Sequence, residues 1–167
     1  MKKIGIVMGS ASDLPTVRKA MDVLQSFGVP FEAHIFSAHR TPDEAAAFAA
    51  GARAAGYGAL ICAAGMAAHL AGAVAARTTL PVIGIPCVSK YLDGMDALLA
   101  TVQMPTGIPV ATVALDGAAN AALLAIEILA VSDDALAKRL EDKRAADTKA
   151  VLERDAQLQA ELAGESK

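Results

Sequence analysis

Five short apolar runs, each followed by a stretch of helical pattern, constrain this 167-residue chain more than any other feature. The runs are Ile4–Met8, Phe31–Phe36, Ala59–Ala63, Val82–Ile85 and Val110–Leu115. Helices are expected over Leu14–Phe27, Pro42–Ala55, around His69–Arg77, near Met95–Gln103 and over Ala118–Ala130. Gly28, Pro30, Gly56, Pro81 and Pro86 supply the punctuation between them. Strands that alternate with helices argue for a parallel sheet covered on both faces. Strand runs that are continuously apolar, rather than alternating, argue for the same.

Right-handed crossovers then favour a doubly wound, three-layer α/β sandwich. The expected strand order is the flavodoxin-like 2-1-3-4-5. Hydrophobic residues make up 54% of the chain but aromatics only 4%, so the core must be built mainly from Ala, Val, Ile and Leu. The most apolar window, Ala59–Ala76, contains Gly65, His69 and Gly72 and begins as a strand, so no membrane span is expected there. A net charge of −3 offers no basic footprint for nucleic acid. Met1-Lys2-Lys3 leads straight into a strand, without the pattern of a signal peptide. Cys62 and Cys87 lie in apolar runs without CxxC spacing, which fits buried thiols in a reducing, cytoplasmic protein.

The composition changes near residue 131. A catalytic α/β domain is expected over residues 1–131. Residues 132–167 read as a charged helical extension with a thin apolar stripe, expected to pack on neighbouring subunits.

In open α/β sheets, ligands bind beyond the carboxyl ends of the strands. Three turns qualify: Gly9–Asp13, Ser37–Thr41 and Ala64–His69. In the first, Gly9 permits close backbone approach, and Ser10 and Ser12 offer hydroxyls beside a helix start. It is neither a Walker sequence nor GxGxxG. Asp13 would repel a phosphate placed on it; it fits either a helix N-cap or an acceptor for neutral hydroxyls. In the second turn His39, a proton carrier, adjoins Arg40, whose fork suits phosphate or carboxylate. The plainer reading pairs Arg40 with Asp43 or Glu44 on the surface and leaves His39 solvated. In the third turn, small residues bring the backbone near a ligand, and His69 either touches that ligand or is structural. His34, His39 and His69 lack metal-ligand spacing, and no GxSxG elbow is present. What remains is acid–base chemistry on a small anionic substrate.

The blocks GSASD (Gly9–Asp13), SAHRTPD (Ser37–Asp43) and GMAAHLAG (Gly65–Gly72) resemble the class I PurE family, the 5-(carboxyamino)imidazole ribonucleotide mutases of purine biosynthesis. So do LPVIGIP (Leu80–Pro86), VQMPTGIPVATVA (Val102–Ala114) and GAANAALLA (Gly117–Ala125). The resemblance spans Lys3–Ala130. It implies a flavodoxin-like fold, a homo-octamer with sites at subunit contacts, and transfer of a carboxylate from the exocyclic nitrogen to ring carbon four. It implies no ATP, metal or organic cofactor. Residue by residue, it makes His39 the catalytic acid/base and Ser10, Asp13 and Arg40 substrate-binding. Ser12, Ser37 and the turn with Gly65, Ala67, Ala68 and His69 would line the same pocket. The AAHL sequence at Ala67–Leu70 favours the mutase over a direct carboxylase using carbon dioxide. A non-catalytic nucleotide or flavin-binding module is the other alternative. Met66 and Ala71 depart from the family pattern, where Gly and Pro are frequent, and Leu14 stands where an aromatic is frequent. The segment before Gly117 is also shorter than in some relatives.

Overall fold

The computed structural model describes residues 1–165; residues 166 and 167 of the expected extension lie outside the described residues. The chain divides into a body, Met1–Leu129, and a second unit beginning at Ala130.

The body holds five strands: β1 (Lys3–Met8), β2 (Phe31–Ile35), β3 (Tyr57–Gly65), β4 (Val82–Cys87) and β5 (Ala111–Thr112). All pair in parallel, in the order β2-β1-β3-β4-β5, as the sequence predicts. Helices α1 (Leu14–Ser26), α2 (Pro42–Gly51), α3 (Leu70–Ala75), α4 (Met95–Val102) and α5 (Ala118–Ala130) connect or follow them. Ile4, Ile6, Leu60, Ile61, Ile83 and Ile85 are fully buried on the three central strands. Each such side chain contributes roughly 1.5–3 kcal/mol by leaving water, which pins the central register. The edge strand β2 is only partly covered.

Small residues let the layers approach. A Cβ on Gly84 of β4 would meet Thr101 Cγ2 of α4 at 2.4 Å. The Thr101 hydroxyl, buried at this contact, donates to the Ala97 carbonyl at 2.7 Å and so is not itself stranded, whereas the buried Thr112 hydroxyl on the paired strand β5 has no partner among the described residues. α5 turns Ala118, Ala121, Ala122, Ala125 and Ile126 inward.

Several boundaries differ from the sequence reading. β3 runs through Gly65, and β4 runs through Pro86 to Cys87. β5 keeps only two of the six residues expected over Val110–Leu115. Pro86 explains much of this. Its carbonyl accepts from Asp116 N–H at 2.9 Å, but it has no N–H to extend the β4–β5 ladder beyond Thr112. α2 stops at Gly51 rather than Ala55, where glycine is the weakest helix former in the segment. α3 covers Leu70–Ala75, shorter than His69–Arg77, and His69 gives it no side-chain cap. The window Ala59–Ala76 is thus a strand, a turn and a short helix. No helix among the described residues is long and apolar enough to cross a membrane.

The second unit contains α6 (Asp134–Glu165), which opens with Asp133 accepting from Leu136 N–H at 3.0 Å. Lys138–Asp142, Lys143–Asp147 and Lys149–Glu153 are ion pairs four residues apart. Such pairs support a helix by only about 0.2–0.5 kcal/mol each. Val151, Leu152, Leu158 and Leu162 are exposed along it.

Candidate functional site

The turn after β1 begins where Gly9 N–H donates to the Ala63 carbonyl at 3.0 Å. A 3-10 turn, Ala11–Asp13, follows and runs into α1, which carries Pro15 in its first turn. Ser10 Oγ accepts from Ser12 N–H at 3.2 Å and from the Ser12 hydroxyl at 2.8 Å. Asp13 reaches back to accept from Ser10 N–H at 3.1 Å and makes no side-chain cap bond to α1. Asp13 stands at the N-cap position of α1, but its carboxylate does not cap that helix; it closes a reciprocal capping box on Ser10 instead. Burial pushes the Asp13 carboxyl above its ordinary pKa, against the lowering effect of the Ser10 N–H; Asp116 adds to the rise and Arg40 opposes it.

The turn after β2 is stapled by two hydroxyls. Ser37 Oγ accepts from His39 N–H at 3.3 Å and from Arg40 N–H at 3.2 Å. Thr41 Oγ1 accepts from Ser37 N–H at 2.8 Å and donates to the Ser37 carbonyl at 3.3 Å. With the backbone groups satisfied locally, the His39 and Arg40 side chains are free to point outward. Arg40 Nη2 donates to the Gly9 carbonyl at 3.1 Å, tying this turn to the one after β1. The alternative pairing with Asp43 or Glu44 is not the one formed.

In the turn after β3, Ala68 N–H donates to the Met66 carbonyl and His69 N–H to the Ala67 carbonyl, each at 2.8 Å. Gly65 lies beside Cys87 of β4, and a Cβ there would come within 3.2 Å of the Cys87 carbonyl oxygen. His69 Nδ1 is 2.9 Å from His39 Nε2, with the rings edge-on. One nitrogen must donate and the other accept, so the two cannot both carry a proton at this contact.

These turns enclose a cleft of about 520 Å³. Ser10, Ser12, Asp13, Ser37, His39 and Arg40 form its polar lining, and Gly65 and Ala67 are also on it. Ala68 is not; it is buried at 1% exposure, and the turn that presents Ala67 to the cleft turns its neighbour inward. His69 reaches the site through His39. The sequence reading missed the end of β4 and the turn after it, which add Cys87, then Val88 and Ser89. The same sheet-edge rule would have selected it. Val88 N–H donates to Asp116 Oδ1 at 3.1 Å, so Asp116 is part of the scaffold here. Burial pushes the Cys87 thiol up to about 12, with Asp13 and Asp116 adding to it, so Cys87 is no ready nucleophile. Cys62 is buried in the core, its thiol also pushed up to about 12. His34 stacks on Phe36 and tilts against Phe48 among aromatics, away from this chemistry. No group of three or more His, Cys, Asp or Glu side chains among the described residues is placed to hold a metal ion.

Residues 3–150 match the family model described as AIR carboxylase. The chain is 54% identical over 153 residues to an N5-carboxyaminoimidazole ribonucleotide mutase of Brucella melitensis biotype 1, covering 90% of this chain and 94% of that one. It is 50% identical over 157 residues to a Bacillus subtilis protein of the same name, covering 93% and 97%. The crystal structure of Treponema denticola PurE superposes with a TM-score of 0.85 at 29% identity, covering 93% of this chain and 97% of that one.

Proposed function

The chain belongs to the AIR carboxylase family, and from that premise we propose that its cleft carries out the N5-carboxyaminoimidazole ribonucleotide mutase reaction of purine biosynthesis. The enzyme is an isomerase: it moves the carboxylate of its ribonucleotide substrate from the exocyclic nitrogen to ring carbon four. The observation that carries this reading is His39, a proton carrier, on the same cleft as Arg40 and the small-residue turn after β3.

Arg40 and the hydroxyls of Ser10, Ser12 and Ser37 hold the substrate phosphate, and Asp13 accepts from the ribose hydroxyls. A carboxylate that is poorly solvated gains from such donors, which resolves the objection to placing it near a phosphate. His39 gives a proton to the exocyclic nitrogen as carbon dioxide departs. It takes one from carbon four after recapture, a pair of tasks an imidazole can perform near neutral pH. His69 acts on His39, because the shared hydrogen bond sets which ring nitrogen holds the proton. Holding carbon dioxide beside the ring replaces an encounter with an intramolecular step, an advantage that reaches effective molarities of about 10⁵ M or more.

The active assembly is a homo-octamer working in the cytoplasm. Free, buried cysteines support a reducing compartment. Leu92, Met95, Leu99 and Val102 form an exposed apolar stripe on and just before α4, a surface of the kind that subunits cover. The extension from residue 132 packs on neighbouring subunits, so its removal should lower the assembly mass in ultracentrifugation.

The decisive assay offers purified enzyme either the N-carboxylated ribonucleotide or aminoimidazole ribonucleotide with bicarbonate. Rapid turnover of the first alone is expected. Preference for the second would make the protein a direct carboxylase, and inertness toward both, with a flavin bound, a binding module.

A further inference from the structure

One side chain on the apolar side of the cleft departs from its neighbours. From Ala64 to Ala68 the turn reads Ala-Gly-Met-Ala-Ala, so Met66 alone brings length to it. Met66 stands at φ +54°, in the left-handed region that a residue with a Cβ occupies at a cost and glycine does not. Its side chain is 50% exposed although it lines the cleft. The backbone around it is fixed, because its carbonyl accepts from Ala68 N–H and the preceding Gly65 is paired beside Cys87. The thioether chain is therefore the adaptable part of an otherwise rigid turn. Strained residues that persist in this way cluster at ligand clamps.

We propose that Met66 is a specificity-determining residue, an apolar cover that keeps carbon dioxide in the cleft until ring carbon four captures it. The inference rests on the mutase reading. In the first half-reaction the bond between the exocyclic nitrogen and the carboxylate carbon breaks, its electron pair stays on nitrogen, and nitrogen takes a proton. In the second, carbon four bonds to the carbon of carbon dioxide with the ring's enamine electron pair and then loses its proton. The intermediate is small, neutral and without hydrogen-bond donors, so Arg40 and the hydroxyls have little hold on it. Retention depends on coverage. Ala64, Gly65 and Ala67 offer almost no side chain for that, and Leu70 is itself buried at 2% exposure. Met66 has both the length and the freedom.

The test follows product partition in the full-length enzyme. Wild type, Met66→Leu, Met66→Ala and Met66→Gly receive the N-carboxylated ribonucleotide. The carbon-carboxylated product and the decarboxylated aminoimidazole ribonucleotide are both quantified, after correction for enzyme-free decay. Met66→Ala and Met66→Gly should raise the decarboxylated share several-fold with little change in KM, while Met66→Leu stays near wild type. Met66→Gly should also melt higher, by about 2–4 °C, because glycine relieves the left-handed strain. A gain in stability with a loss of retention is not what a merely structural residue produces. Unchanged partition in the Ala and Gly variants of an active enzyme would overturn this inference alone. A wild type that makes no carbon-carboxylated product would overturn the mutase reading and this inference with it.

Discussion

The turn after β2 and the turn after β3 meet where His39 touches His69, yet they are held by different means. Between Ser37 and Thr41, side-chain hydroxyls satisfy the backbone and leave two charged or titratable groups projecting. Between Ala64 and His69 the backbone satisfies itself and the side chains, Met66 excepted, are small. The first arrangement places polar atoms at defined points. The second clears space beside them. A reaction that holds an anionic nucleotide and also releases a small apolar fragment needs both.

Substitutions on the two turns should therefore fail in different ways. The largest effect is expected for His39→Asn, with kcat reduced by at least the roughly 10²–10⁴-fold typical of an acid–base group and substrate still bound. Near-normal turnover would remove His39 from the chemistry. Arg40→Ala should weaken binding of the phosphorylated substrate by about 1.5–3 kcal/mol, the range for hydrogen bonds to charged groups. The dephosphorylated nucleoside should bind both proteins alike, and titration calorimetry separates the two ligands. His69→Ala keeps the proton carrier but removes its partner. A loss of about 0.5–1.5 kcal/mol, or roughly 2- to 10-fold in kcat, is expected with KM little changed. An unchanged kcat would show that the contact between the rings does not position the proton carrier.

The smallest effect lies on the turn after β1. Burial raises the Asp13 pKa in the folded protein, so the native state holds this proton more tightly than the unfolded chain does. Stability from this group is greatest at acid pH and declines as pH rises from the ordinary carboxylate range through the raised value. Asp13→Asn keeps an oxygen for the Ser10 N–H and removes the buried charge. The variant should be the more stable at neutral pH, by denaturant titration, and the advantage should vanish below about pH 4, where both are neutral. An advantage that does not depend on pH would assign the gain to something other than charge.

Much of this was legible in the residues. The β–α alternation gave a parallel, doubly wound sheet, because apolar runs separated by Gly and Pro have few other ways to be buried; the order 2-1-3-4-5 was a choice among such topologies, and the observed pairing agrees with it. The polar turns could be placed at one sheet edge by the same topology. The lengths of elements were less legible. Val110–Leu115 reads as a strand from its own residues, but its pairing depends on Pro86, 24 positions or more away in sequence. Ala68 looks like its neighbour Ala67 until the turn is folded and only one of them faces the cleft.

Sequence alone determined the fold class, the family resemblance and the residues able to transfer a proton or grip a phosphate, since these follow from side-chain chemistry and local periodicity. Only the tertiary structure decided how those residues are used. Arg40 reaches the Gly9 carbonyl, Asp13 folds back on Ser10, and His69 meets His39 across 30 residues. It also decided that Met66 sits in a conformation better suited to glycine. These are matters of distance, burial and backbone angle, and they exist only once the sheet has brought four separate turns to one edge.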